Sequence, residues 1–212
     1  MATGRGFEIN SFARALPHGG ARANLFSVSI PTNIIPVVGH TNTAEAIELT
    51  AKATTIPPST IEPVEVPFYG RTFRLPGGRT FDDWETTITN DEDFKVRDFF
   101  EKWSNSINGH GTNVSSVLQG TANQGGGGGG IRNGYTTDAI VTQYGKDGDK
   151  IREYKMVDAW PHTIGEITLD WAENGTIQEF AVTWAFSWWE SVATDQSGNP
   201  LSSGNNSRTT HS

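Results

Sequence analysis

The chain has 212 residues, 24 acidic against 16 basic side chains for a formal net charge of −8, and no cysteine. That length is enough to bury one substantial core with arms to spare. The missing cysteines exclude disulfides and thiolate metal sites and permit a reducing compartment. The acidic balance argues against tight nucleic-acid binding, which depends on Lys and Arg neutralising phosphates. No segment resembles a signal peptide or reaches membrane-spanning length, so the expectation is a soluble protein made in the cytoplasm.

Residues 1–23 mix Gly, Arg, His and Pro without period and read as an arm, either frayed or ordered on a neighbour. From Asn24 a pattern begins: Phe26, Val28 and Ile30 alternate with serines and stop at Pro31, as in a half-buried strand. Thr32–Ala44 reads as a loop. Glu45–Thr55 then alternates, with Ile47, Leu49, Ala51 and Ala53 on one side and Glu48, Thr50, Lys52 and Thr54 on the other. That predicts a second strand, ended by Pro57–Pro58. Ile61–Leu75 predicts a long hairpin: Val64, Val66 and Phe68 ascend, Tyr69–Gly70 turns, and Phe73 and Leu75 return. Pro63 and Pro67 are poorly tolerated in a central strand, so the hairpin is expected at an edge or projecting.

Phe81–Thr89 places Phe81, Trp84, Thr86 and Ile88 at near two-residue spacing, a strand with one packed face. At Asn90 the period changes. Asn90 is a good helix cap, and Asp91, Glu92 and Asp93 suit the positive end of a helix dipole better than they suit catalysis. Val96, Phe100, Trp103 and Ile107 follow at spacings of four, three and four, with Phe94 and Phe99 beside them. This is one apolar helix face laid over a β core.

Residues 108–135 are rich in Gly, Asn and Ser and contain six consecutive glycines, Gly125–Gly130. Ile131–Arg132 follows where a phosphate loop needs Lys-Ser/Thr, so the stretch reads as a flexible insertion. Thr137–Tyr144 and Lys150–Ala159 form a hairpin turned at Asp147–Gly148 and broken at Trp160–Pro161. A third hairpin is expected from Glu166–Trp171, turned at Asn174–Gly175, with Ile177–Trp189 returning. Phe180, Val182, Trp184, Phe186 and Trp188 share one face of that return strand. The alternations predict burial of Trp84, Trp103, Trp171, Trp184 and Trp188. Residues 191–212 turn to Ser, Thr, Asn and Gly and read as a mobile tail. The expected class is mainly β: an antiparallel sandwich or small barrel, residues 24–190, with one flanking α-helix.

Tests for chemistry come back weak. The five histidines are scattered, with no metal-binding spacing. No nucleophile elbow is present. Asp82, Asp83 and Glu85 resemble a glycosidase pair only if a bulge brings neighbours to one face. No catalytic, cofactor or metal residue is assigned. A sugar-binding sandwich using the seven tryptophans is one alternative, although most of those rings fall on buried alternations.

The motifs RTFDDW (Arg79–Trp84), TNDE (Thr89–Glu92) and WE (Trp189–Glu190) resemble the tail tube proteins of contractile-tailed bacteriophages. KATTIPPSTIEPVEVPFYGR, AIVTQYGKDG and WPHTIGEITLDWAENGTIQEFAVTWA support the resemblance in the same order. It covers roughly Asn24–Glu190, except that Thr32–Ala44 and residues 108–135 are longer than the family pattern. The resemblance implies a non-enzymatic virion protein assembled in the host cytoplasm. Its subunits form hexameric rings with a continuous inner β-barrel, stacked into a tube for genome ejection. Implied partners are the sheath outside, the tape measure protein and then phage DNA inside, and baseplate and tail-terminator proteins at the ends.

On that plan the hairpin residues Glu62, Val64, Glu65, Val66, Phe68, Tyr69, Arg71, Phe73 and Arg74 join the N-terminal arm in contacts between subunits and rings. Glu48, Thr50, Thr54, Glu166, Thr168 and Asp170, taken as wet faces of alternating strands, line the bore, with Lys52 an exception among them. A tube subunit of a related non-viral contractile injection system is the nearer alternative.

Overall fold

A computed structural model describes residues 20–31, 43–115 and 134–193, with Ile9, Phe12, Arg14 and Leu16. Most of the predicted arm, the Gly125–Gly130 run and residues 194–212 of the predicted tail lie outside the described residues. The elements in order are β1 (Phe26–Ser29), α1 (Thr43–Thr50), β2 (Ala51–Thr54), β3 (Ser59–Phe68), β4 (Arg71–Phe81), β5 (Trp84–Thr89), α2 (Lys95–Ile107), β6 (Thr137–Tyr144), β7 (Lys150–Ile164), β8 (Glu179–Ala185) and β9 (Trp188–Ala193). All the strand pairings are antiparallel.

Strand β7 is the joint of the architecture. Its first part pairs with β6 and β9, and its last residues, Trp160–Ile164, pair with β8. The expected break at Trp160–Pro161 is therefore a change of partner. Asp158 takes a left-handed backbone (φ 58), the ladder shifts register beside it, and the strand bends from one sheet into the next. The first sheet runs β1-β6-β7-β9 and the second β7-β8-β5-β2.

The core lies under α2, where Val96, Phe99, Phe100 and Trp103 are buried and Ile107 packs beside them. They meet Trp84, Ile88, Phe180, Val182 and Trp184, the inward alternation of β5 and β8. Phe100 and Trp103 each meet Trp184 edge-on at 5.6 Å between ring centres. Two of the buried indoles donate to partners: Trp84 Nε1 to Thr54 Oγ1, and Trp103 Nε1 to the Tyr135 carbonyl, both at 2.9 Å.

Several expectations are corrected. Residues 43–50 form helix α1, so only Ala51–Thr54 of the predicted second strand is a strand. Ala44, Glu45, Ala46, Glu48 and Leu49 are strong helix formers, and burial of Thr43 and Ile47 at a spacing of four follows the helix; Leu49 is exposed. Asn90 does not cap α2. Its N–H donates to the Gln178 carbonyl at 2.8 Å and its Nδ2 to Gln178 Oε1, prolonging the β5–β8 edge. The cap position falls to Phe94, left-handed at φ 54, and Phe94 is half-exposed rather than over the core. Residues 165–178 form a loop, not a strand, so the arm pairing with β8 is Trp160–Ile164 rather than the expected Glu166–Trp171. The long return strand ends at Ala185 and restarts as β9 in the other sheet. Trp171 is fully exposed and Trp188 half-exposed.

Candidate assembly surfaces

Three surfaces are left open by this fold. The first is the hairpin β3–β4, a two-stranded sheet that pairs with no other strand among the described residues. Its register sets Val64 opposite Leu75, Val66 opposite Phe73 and Phe68 opposite Arg71, so these residues share one face. Val64, Val66, Phe68, Phe73 and Leu75 are all exposed. The opposite face carries Glu65 and Arg74, paired across the strands at 3.0 Å. The hairpin is thus amphipathic with its apolar side uncovered, a liability in any protein that stays alone.

The tip is tight. Tyr69 (φ 43) and Gly70 (φ 80) form a two-residue loop with both backbones left-handed, the geometry whose twist matches a hairpin. A tyrosine there is strained by about 1–2 kcal/mol; the residue is 93% exposed, with its ring edge-on to Phe68 at 4.7 Å. Near the base, Glu62 lies at a bulge where a Cβ on Gly77 would stand 2.6 Å from the Glu62 carbonyl oxygen. Phe81 anchors the base against Phe186, ring centres 6.0 Å apart.

The second surface is the outward face of the β7-β8-β5-β2 sheet. Its rows are Ala53–Thr87–Ala181 and Glu85–Thr183–Thr163, with Thr89 beside Glu179. Lys52 reaches Glu179 in an ion pair. The face is therefore small, polar and slightly acidic, and it ends at β2 on one side and at Trp160–Ile164 on the other.

The basis for the expected bore residues does not hold. Glu48 and Thr50 lie on α1, where Thr50 Oγ1 donates to the Ala46 carbonyl. Thr54 stands opposite buried Thr86, and its hydroxyl serves the Trp84 indole. Glu166, Thr168 and Asp170 are exposed on an irregular loop. The outward face of β5 and β8 instead carries Glu85, Thr87, Thr89 and Thr183, which the sequence analysis does not single out for the bore. Their signal was present, since they are the other half of the alternation that buries Trp84, Thr86, Ile88, Val182 and Trp184.

The third surface is that loop, residues 165–178. Its base is held by the Gly165 N–H to the Ala181 carbonyl at 2.7 Å and by Arg97 Nη1 to the Gly165 carbonyl. Among the described residues no group of His, Cys, Asp and Glu forms a metal site, and no helix is long and apolar enough to cross a membrane.

A family profile described as phage tail tube protein matches residues 21–192. The chain belongs to the phage tail tube protein family. The tail tube protein gp19 of Enterobacteria phage T4 is 34% identical over 184 residues, 86% of this chain and 99% of the relative. Its counterpart in Enterobacteria phage T6 is 33% identical over the same shares.

The fold recurs in a solved sheath-tube complex of an extracellular contractile injection system in its extended state. That match has a TM-score of 0.51 at 14% identity and covers 88% of this chain and 99% of the other. At that identity the likeness is one of fold alone, so the non-viral alternative is not favoured over the phage relatives. As a tail tube protein of contractile phage tails, the chain is a structural component of the virion tail.

Proposed function

We propose that six copies close a ring by joining the β7-β8-β5-β2 sheet head to tail, β2 of one copy beside Trp160–Ile164 of the next. The observation that carries this reading is a four-stranded sheet, open at both ends, with a packed inner side and a small polar outer side. A barrel wall with protein outside and water inside needs that division, and closure removes the free edges. The lumen face is then Glu85, Thr87, Thr89, Ala181 and Thr183, in place of the residues expected from sequence. Its polar side chains are acidic or hydroxyl-bearing and its one lysine, Lys52, is paired with Glu179, so DNA phosphates find little cationic hold and the tube acts as a passive conduit without catalysis.

Rings stack through the β3–β4 hairpin and the N-terminal arm. The tape measure protein and then DNA occupy the bore, the sheath lies outside, and baseplate and terminator proteins close the ends. A heterologous, repeating contact of this type builds an open-ended tube. Electron microscopy of the purified protein tests the reading: sixfold rings with a central pore are expected, and a chain that stays monomeric at high concentration overturns it.

A further inference from the structure

The 165–178 loop presents an apolar surface that no other described segment covers. Trp171 is 106% exposed, Leu169 76% and Ile177 65%. The loop is nevertheless held in shape. Asp170 accepts from the Ala172 N–H through Oδ1 at 2.9 Å and from the Glu173 N–H through its carbonyl, and Thr176 donates to Glu173. Trp171 therefore stands at the corner of a pre-formed turn, so docking it costs little ordering entropy. Residues 166–179 carry Glu166, Asp170, Glu173 and Glu179 and no Lys or Arg. The hairpin is the counterpart: an uncovered apolar face whose tip carries Arg71 on the same side as Phe68.

We propose that the 166–178 loop of one copy is the seat of a neighbouring copy's hairpin. Trp171 lies against Val66, Phe68 and Phe73, and the loop carboxylates face Arg71. This deepens the tube reading and rests on it. Two features select a second copy as the occupant. The charges are complementary, and each surface lacks what the other supplies: the hairpin has no acidic group on its apolar face beyond the Glu62 bulge, and the loop has no cation. A fully exposed tryptophan flanked by carboxylates, meeting rings and a guanidinium, is the composition of an interface anchor.

The absence of cysteine from the chain gives a clean test. Val66→Cys and Ala172→Cys chains are prepared separately, mixed, assembled and oxidised. A disulfide-linked dimer is expected from the mixture and from neither chain alone. Cross-linking of Val66→Cys to itself, or none in tubes that contain both chains, overturns the pairing. Trp171→Ala is expected to leave the melting temperature unchanged while raising the critical concentration for tubes at least about tenfold. Unaltered assembly overturns the docking. Arg71→Glu and Asp170→Lys are each expected to impair assembly, and together to restore it; failure of the pair to restore it counts against the proposal. A wild-type chain that forms no tubes overturns the tube reading itself, whereas wild-type tubes with unaffected variants overturn this inference alone.

Discussion

The indole nitrogen of Trp184 donates to the hydroxyl of Thr86 at 2.9 Å, between neighbouring strands and wholly inside the core. Strand β8 thereby places the large ring at the centre of the aromatic cluster without stranding its one polar atom. Thr86→Val keeps the shape and removes the acceptor. It is expected to destabilise the subunit by about 1–3 kcal/mol, the cost of a buried unsatisfied donor. Urea denaturation of the two chains measures it.

The hairpin contributes nothing to the buried core, which is built from β1, β5–β8 and the two helices with their flanks. Deleting Phe68–Arg71 is therefore expected to leave a folded subunit, by circular dichroism and melting, that forms no tubes in negative stain. Undiminished tube formation would remove the hairpin from the assembly.

Gly165 has no room for a side chain, because a Cβ would sit 2.8 Å from the Ala181 carbonyl oxygen. The obstacle is a backbone oxygen, which cannot move aside cheaply. Gly165→Ala is expected to cost about 1–3 kcal/mol and to raise hydrogen exchange at the Gly165 amide, which donates to that carbonyl.

Lys155 is hydrogen-bonded to Asp138 at 2.8 Å across β6 and β7, and that bond raises its pKa above the ordinary lysine value. Because the folded value is the higher one, the stabilisation is fully present below the ordinary lysine pKa. It is lost as pH rises through the raised value. Asp138→Asn retains an oxygen to accept from the Asp158 N–H. The variant is expected to be less stable by under about 1 kcal/mol at neutral pH, and the difference from wild type should vanish in strongly alkaline buffer.

Reversing charge on the proposed lumen face isolates its role. Glu85→Lys with Thr183→Lys adds cations in neighbouring positions of one row. Tubes of this variant are expected to retain DNA at low ionic strength and release it as salt rises. Wild-type tubes should retain none, which co-sedimentation with short duplexes measures.

Much of the fold was legible where one period ran undisturbed. The hairpin with its Tyr69–Gly70 turn, the Trp84–Thr86–Ile88 alternation and the Val96–Phe100–Trp103 helix face all appear as read. Each follows from local geometry, since pleat and helix pitch alone decide which side chains share a face. Residues 45–50 are helix where a strand is expected, because Ile and Leu among Ala and Glu satisfy both periods over so short a span. The core contact of Ile47 and helix propensity resolved it.

Continuity hid the other departures. Phe180 to Trp188 alternates without a flaw, yet the chain changes sheets at Phe186–Ser187. There the Ser187 N–H donates to the Val157 carbonyl and its hydroxyl to Asp158, groups that sit at the bend of β7. No local pattern encodes a partner strand's bend. Trp171 and Trp184 look alike in their alternations, and one is fully exposed while the other is sealed. Residue periodicity determined which faces are apolar. Only the tertiary structure decided which of those faces the chain covers itself, because covering depends on contacts between segments far apart in the sequence.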